Sequence, residues 1–176
     1  MTTAFLDRDG VINEKPQVGR YVTASRELRL LPGAAEAIGL LNEAQVRVVV
    51  ITNQRGVALG VMSMEQLEGV HHHMAEELQR AGAHVDAIYF CPHAENSCDC
   101  RKPGIGLFLQ AKSEFPDMTF DEAYVIGDSD RDMEAGRRLG ARLIRIGQPA
   151  SPDETGAPSL LYAVTRYIVG ADGNPG

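Results

Sequence analysis

The stretch Ala-Phe-Leu-Asp-Arg-Asp-Gly-Val-Ile-Asn, residues 4–13, joins a short apolar run to two aspartates and a glycine. The apolar run predicts a β-strand, and the glycine predicts a turn directly after it. Asp7 and Asp9 therefore arrive at the carboxyl end of a strand, where open α/β sheets bind ligands. Carboxylates this close repel each other unless a cation or a shared proton compensates. Taken alone, the motif also suits an ordinary turn or helix cap, so its interpretation depends on the rest of the chain.

Apolar runs and amphipathic stretches alternate along the chain. Strands are predicted at Ala4–Asp7, Arg47–Thr52, Val85–Cys91, Ala123–Asp128 and Arg142–Ile146. Helices are predicted at Gly33–Ala44, Ser63–Ala81, Ile105–Glu114 and Arg131–Leu139, with a weaker pattern at Ser159–Ile168. Ser63, followed three residues later by Gln66, predicts a capping box at the second helix. The alternation predicts an α/β fold with a doubly wound, mainly parallel sheet.

Length and composition place the chain among ordinary globular proteins. Its 176 residues, 44% of them hydrophobic, suit one domain with a substantial core. We expect that domain to span residues 1–170, followed by a frayed tail at 171–176. The 17 basic and 24 acidic residues give a net charge of −7, which argues against nucleic-acid binding. No apolar run suits a bilayer span and no secretory signal is visible, so we expect a cytoplasmic monomer without a membrane partner.

Three further segments carry polar groups beside predicted strands or helices. Thr52–Gly56, at the end of the second strand, offers a hydroxyl, amides and backbone N–H groups that suit a phosphate. Arg101 and Lys102 supply a planar guanidinium and a compact charge before a helix. Asp128 and Asp132 lie at another strand end and helix start. Each segment alone also fits turn, surface or capping chemistry.

The order of the segments, a carboxylate pair, a hydroxyl, a lysine and a further carboxylate, resembles the four motifs of the haloacid dehalogenase-like phosphatases. The resemblance extends from residue 4 to about residue 146. It implies a Rossmann-like phosphatase that works through an aspartyl-phosphate. It also implies these roles: nucleophile Asp7; general acid/base Asp9; charge stabiliser Lys102; phosphate contacts Thr52, Asn53, Gln54, Arg55 and Arg101; Mg²⁺ ligands Asp7, Asp9 and Asp128; supporting acid Asp132.

The residue types suit that chemistry. A carboxylate can attack phosphorus and so divide hydrolysis into two steps. An acid two residues along can protonate the leaving alkoxide and later deprotonate the attacking water. Mg²⁺ prefers oxygen ligands and offsets the charge of the crowded carboxylates and the phosphate.

All three cysteines lie within ten residues, as Cys91-Pro-His93 and Cys98-Asp-Cys100. An odd number of cysteines in a cytoplasmic chain argues against a disulfide framework. With His93 they supply the four ligands of a tetrahedral zinc, and the alternative is reduced, metal-free cysteines. Because no ligand position remains open, we expect a structural zinc and no catalytic one. The loop leads directly into Arg101 and Lys102, so we expect the zinc to orient those two charges.

His71, His72 and His73 are also consecutive in the sequence. Successive helix residues point about 100° apart, so the three side chains cannot share one face. We interpret them as ordinary helix-surface or partly buried histidines.

The Cys-Pro-His and Cys-Asp-Cys-Arg-Lys-Pro segments narrow the resemblance to a zinc-loop branch of the family that has no large cap domain. This implies a sugar phosphate as the partner molecule, with removal of the 7-phosphate of D-glycero-D-manno-heptose 1,7-bisphosphate in lipopolysaccharide or glycan precursor synthesis. Histidinol phosphate is the alternative substrate, and a non-catalytic phosphate-binding protein is a remote alternative. Without a cap, we expect specificity to come from Glu14–Arg20, Arg55 and the zinc loop.

Overall fold

The computed structural model describes residues 1–170. Its centre is a six-stranded sheet in which all neighbouring strands are parallel. The strands are β1 (Thr3–Leu6), β2 (Arg47–Asn53), β3 (Ala87–Cys91), β4 (Tyr124–Gly127), β5 (Arg142–Ile146) and β6 (Glu154–Ala157). They lie in the order β3-β2-β1-β4-β5-β6, so the winding reverses direction at β1. Doubly wound sheets open a ligand-binding crevice at such a point.

Helices cover both faces of the sheet. They are α1 (Ala34–Glu43), α2 (Met64–Arg80), α3 (Gly106–Glu114), α4 (Asp130–Leu139) and α5 (Leu160–Ala163). The first, second and fifth pack into one hydrophobic core, and α3 and α4 pack into the other. Because apolar cores lie on both sides, the central strands are buried on both faces.

Alternate residues of each central strand enter opposite cores. In β1, Leu6 joins the core beneath α1, whereas Phe5 joins the core beneath α3. In β2, Val50 joins the core beneath α1 and Val49 joins the core beneath α3. This two-sided burial explains why the β2 sequence is continuously apolar instead of alternating.

The predicted doubly wound, parallel sheet is confirmed. All five predicted strands and the four main helices form, with boundaries that differ from the prediction by up to two residues. The capping box at α2 is also present. The Ser63 hydroxyl accepts from the backbone N–H of Gln66 at 3.1 Å, and the Gln66 side chain accepts from the backbone N–H of Ser63 at 2.7 Å.

β6 was not predicted from the sequence. Its residues, Glu-Thr-Gly-Ala, are few, partly polar and interrupted by glycine, so no strand pattern is visible. Pairing with β5 at the sheet edge makes this segment a strand, and Arg145 holds the Glu154 carboxylate there at 2.6 Å. The weak helical pattern at Ser159–Ile168 also differs from the structure, which has the short α5 followed by a π-helical turn at Val164–Ile168.

No cap domain is inserted within residues 1–170, so no cap covers the crevice in the described part of the chain. The tail predicted at 171–176 lies outside the described residues. None of the helices in the described part of the chain has the length and apolar character that a membrane span requires.

Candidate active site

Asp7 and Asp128 meet because their strands, β1 and β4, are neighbours. Each is the first residue after its strand, and the Asp7 N–H donates to the carbonyl of Ile126 at 2.9 Å. Gly10 permits the close approach of the two segments. It has a φ of +88°, and a Cβ at this position would overlap the Asp128 carboxylate.

Lys102 is the buried cation beside these acids. Its Nζ lies 3.0 Å from the Asp7 carboxylate and 2.5 Å from that of Asp132, and it donates to the carbonyl of Ile51 at 2.6 Å. Burial lowers the Lys102 pKa, but Asp132 and Asp7 outweigh burial and raise that pKa to about 12. Lys102 is therefore a permanent positive charge at neutral pH.

Asp7, Asp128 and Asp132 form an acidic cluster in which one carboxylate oxygen of each lies within 4.8 Å of the others. Burial raises the pKa of Asp7 to about 7, although Lys102 opposes the rise. Lys15 approaches from solvent, with its Nζ 2.7 Å from Asp128. Three carboxylates and two lysines leave a net negative charge, and every donor is a hard oxygen. The residues present therefore fit Mg²⁺.

The Asp9 carboxylate points to a different set of partners. Arg8 donates to both of its oxygens, at 3.0 and 3.1 Å, while Asn13 and Gln54 each donate at 2.9 Å. Burial alone would raise the Asp9 pKa, but Arg8 and the two amides outweigh it and lower the pKa. Asp9 thus lies outside the acidic cluster, and its role as a Mg²⁺ ligand stays a prediction. The cluster contains Asp132, the predicted supporting acid.

Arg8 connects Asp9 to helix α2. Its side chain is fully buried, and Nη1 lies 3.1 Å from Nε2 of His71. Burial and the neighbouring guanidinium lower the pKa of His71 to about 3, so the ring is neutral and accepts the hydrogen bond. His71 also packs against Phe90, with ring centroids 5.3 Å apart. This histidine is buried and tied to the site, whereas His72 is exposed, as predicted for ordinary helix surface.

Asn53, at the end of β2, and Gln54, the next residue, bind other site residues through their side-chain amides. Asn53 accepts from the backbone N–H of Lys102 at 3.0 Å and donates to its carbonyl at 3.1 Å. Gln54 donates to the Thr52 hydroxyl at 2.9 Å and to Asp9, as described above. Thr52 and Asn53 line the crevice, while Gln54 is buried behind it. Gln54 therefore orients Thr52 and Asp9 in this structure, where the sequence predicted a direct phosphate contact.

The crevice has a volume of about 460 Å³ and extends from Asp7 to three arginines. We call Arg55, Arg101 and Arg131 the arginine cluster. All three surround one carboxylate oxygen of Glu95, at 3.1, 3.7 and 3.2 Å respectively. Arg55 and Arg101 were predicted from the sequence as site residues. Arg131 and Glu95 were not, because a lone surface charge gives no recognisable pattern.

The four predicted zinc ligands converge at the end of β3. Cys91, Cys98, Cys100 and Nδ1 of His93 have neighbouring donor atoms 3.1–3.6 Å apart. In a tetrahedral zinc site with bonds of about 2.0–2.3 Å, the ligand atoms are roughly 3.5–3.8 Å apart, so the ligands here would need to separate by only a few tenths of an ångström to hold the ion. The residues present therefore fit a closed four-ligand metal site, and the loop that they form ends at Arg101.

Comparison with known proteins gives a consistent result. The family model for haloacid dehalogenase-like hydrolases matches residues 2–140. The chain is 43% identical over 146 residues to D-glycero-beta-D-manno-heptose-1,7-bisphosphate 7-phosphatase of Rhodopseudomonas palustris, covering 78% of each protein. It is 41% identical over 138 residues to the corresponding alpha-heptose enzyme of Mycobacterium tuberculosis, covering 78% of this chain and 72% of the relative.

Solved structures agree with these sequence matches. The D,D-heptose 1,7-bisphosphate phosphatase from B. bronchiseptica, complexed with magnesium and phosphate, has a TM-score of 0.85 to this chain. The two are 30% identical, and the match covers 93% of this chain and 96% of the other. The similarity therefore extends over nearly the whole chain.

Proposed function

This chain belongs to the haloacid dehalogenase-like hydrolases, and we propose that it removes the 7-phosphate of D-glycero-D-manno-heptose 1,7-bisphosphate. The observation that carries the proposal is that one crevice is lined both by Asp7, Lys102 and Asp128 and by the arginine cluster. The first group suits phosphoryl transfer, and the arginine cluster suits a second anionic group. We further propose that residues 1–170 act as one phosphatase domain.

Asp7 is the nucleophile in this proposal. It attacks the 7-phosphorus while the bond to the sugar oxygen breaks, which forms an aspartyl-phosphate and releases the heptose 1-phosphate. Asp9 supplies the proton to the leaving oxygen and later takes one from the water that attacks the aspartyl-phosphate. Asp9 must be protonated to supply that proton, and a rotation of its carboxyl group away from Arg8 would remove the contacts that lower its pKa.

Lys102 and Thr52 bind the transferring phosphate and offset the charge that develops on it. Because phosphoryl transfer depends chiefly on positioning and charge stabilisation, a buried, permanently charged lysine suits the task. The Asp7, Asp128 and Asp132 carboxylates would hold Mg²⁺, which supplies neutralising charge and orients the phosphate when bound. Asn53 fixes the backbone of Lys102 and so keeps the ammonium in place.

We propose that the cysteine and histidine cluster holds a structural zinc. Its four ligands leave no position for substrate, so its contribution is to fix the loop that leads into Arg101 and Lys102. Those two residues, with Arg55, would contact the anionic groups of the substrate.

The substrate assignment is supported by relatives that act on heptose 1,7-bisphosphate in both the alpha and the beta form. This favours the heptose bisphosphate over histidinol phosphate. Histidinol phosphate has no second phosphate: its amine, on the carbon next to the one that bears the phosphate, and its imidazole offer the arginine cluster no anion and are repelled by it when protonated.

The test is phosphate release in Mg²⁺ buffer from four compounds in parallel: the alpha and beta heptose bisphosphates, histidinol phosphate and p-nitrophenyl phosphate. We expect at least one heptose bisphosphate to give the highest kcat/KM. A higher kcat/KM for histidinol phosphate would reverse the assignment. Binding of the bisphosphate without release of phosphate would support the non-catalytic alternative.

A further inference from the structure

Glu95 occupies an unusual position for a surface glutamate. One of its carboxylate oxygens is shared by the three guanidinium groups of the arginine cluster, with nitrogen–oxygen distances of 3.1–3.7 Å. Glu95 lies in the loop between the ligands His93 and Cys98, and its side chain is 44% exposed. The carboxylate therefore lies at the edge of the crevice that also contains Asp7.

Glu95 leaves the arginine cluster incompletely satisfied. The Arg101 side chain is 10% exposed, and its Nη1 is buried without a hydrogen-bond partner in residues 1–170. A buried guanidinium nitrogen without an acceptor is costly, and an arginine can bind two oxygens of one anion at once. A phosphate, with three oxygens and nearly two negative charges, would satisfy the cluster more fully than one shared carboxylate oxygen.

We propose that the Glu95 carboxylate competes with the substrate: it occupies the arginine cluster until the second phosphate of the substrate displaces it. The inference rests on the proposed function, because it requires a substrate with a second anionic group. Ion pairs at partly exposed positions are weak, so a dianion can displace the carboxylate at modest cost. A substrate with an uncharged second end does not enter the arginine cluster, so Glu95 does not compete with its binding.

The same exchange affects product release. Hydrolysis at the 7-position leaves a sugar that still carries its 1-phosphate, so the product keeps its contact with the arginine cluster. Return of Glu95 to the cluster competes with that contact. Glu95 therefore weakens binding of the bisphosphate and of the heptose 1-phosphate product by a similar factor.

Glu95→Gln tests this competition, because the amide keeps the size of the side chain and removes its charge. The matched control is Glu134→Gln, since Glu134 is 42% exposed and pairs with Arg138 on α4 at 3.0 Å. For Glu95→Gln, we expect the KM for the heptose bisphosphate and the inhibition constant of heptose 1-phosphate to fall together, by roughly three- to tenfold. The kcat/KM for the bisphosphate relative to that for p-nitrophenyl phosphate should rise by a similar factor. Glu134→Gln should change neither constant.

Constants within twofold of wild type in Glu95→Gln would overturn the inference, as would weaker binding. Weaker binding would mean that Glu95 arranges the arginines and does not compete with the phosphate. The inhibition constant is measured against p-nitrophenyl phosphate hydrolysis, so it does not depend on turnover of the bisphosphate. A wild type that hydrolyses p-nitrophenyl phosphate but not the bisphosphate would reject the proposed substrate alone.

Discussion

Nε2 of His71 lies 3.1 Å from Nη1 of Arg8, and both side chains are buried. The contact ties helix α2 to the turn after β1, and through Arg8 it reaches the carboxylate of Asp9. A protonated His71 would place two positive charges side by side in a buried position. The contact therefore requires a neutral ring.

The first prediction is that acid weakens the fold through His71. Its pKa is about 3 in the folded chain, lowered by burial and by Arg8, against about 6.5 in an unfolded chain. Above pH 6.5 the His71 ring is neutral in both the folded and the unfolded state, so its contact with Arg8 contributes fully to the free energy of unfolding. As the pH falls from about 6.5 towards 3 the unfolded state binds the extra proton, so stability is lost.

His71→Gln keeps a hydrogen-bond acceptor and removes the titration. From pH 7 to pH 4, we expect the wild type to lose roughly 1–3 kcal/mol more unfolding free energy than this variant. Urea unfolding at several pH values measures the difference. His72, which is exposed, provides the control: the unfolding free energy of His72→Gln should change with pH as that of the wild type does. Parallel curves for wild type and His71→Gln would contradict the prediction.

The second prediction concerns the nucleophile. Asp7→Asn should abolish phosphate release while the circular dichroism spectrum remains that of the wild type, because the amide has the same shape but cannot attack phosphorus. Asp121→Asn, at an exposed position, is the matched control and should retain activity. Appreciable turnover by Asp7→Asn would exclude the aspartyl-phosphate mechanism.

The third prediction separates the two chemical steps. Asp9→Asn should slow steady-state turnover by roughly 10²-fold or more, since it removes the general acid and base. With p-nitrophenyl phosphate, whose leaving group needs no proton, it should still give a burst of about one nitrophenol per active site. Slow release should follow, because the aspartyl-phosphate then waits for an unactivated water. A slow phase without a burst would show that Asp9→Asn slows the first step even for this leaving group, which would contradict a role of Asp9 in proton transfer alone.

The fourth prediction concerns the acidic cluster. Removal of divalent ions should silence the enzyme and added Mg²⁺ should restore it, because Asp7, Asp128 and Asp132 offer a hard oxygen site. Metal analysis before and after the treatment checks that zinc is retained, so that the loss of activity is assigned to the acidic cluster and not to the zinc site. Added Zn²⁺ should substitute poorly for Mg²⁺. Full activity in verified absence of Mg²⁺ would refute this assignment.

The fifth prediction concerns the zinc loop. The purified protein should contain about one zinc per chain, and Cys98→Ser should lower that content. The sheet should survive, because most of its two cores lies outside the loop, which adds Cys91 to the core beneath α3 and packs Cys98 and Cys100 against it. Activity should fall by around 10²-fold, since displacement of Arg101 and Lys102 by about 1 Å is enough for such a loss. Ser97→Ala, in the same loop, is the control, and wild-type kinetics in a zinc-free Cys98→Ser would separate the metal from catalysis.

Features that depend on local pattern could be predicted from the sequence. The period of apolar residues determines which segments form strands and helices, and alternation of the two places strand ends at one edge of the sheet. The strand ends therefore place Asp7, Thr52 and Asp128 at one edge, whereas the position of Lys102 beside them was implied by the resemblance of the motif order to the phosphatase family. The spacing of Cys91 and Cys100 was enough to group the metal ligands, because they lie within one loop.

Other features depend on which distant segments the fold brings together. β6 has no strand pattern of its own and forms because β5 offers an unpaired edge. Arg8 and His71 are 63 residues apart, and only the packing of α2 on the sheet makes them partners. Glu95 meets Arg55, which follows β2, and Arg131, in the first turn of α4, for the same reason. Long charged side chains take their partners from the space around them, and the tertiary structure alone determines that space.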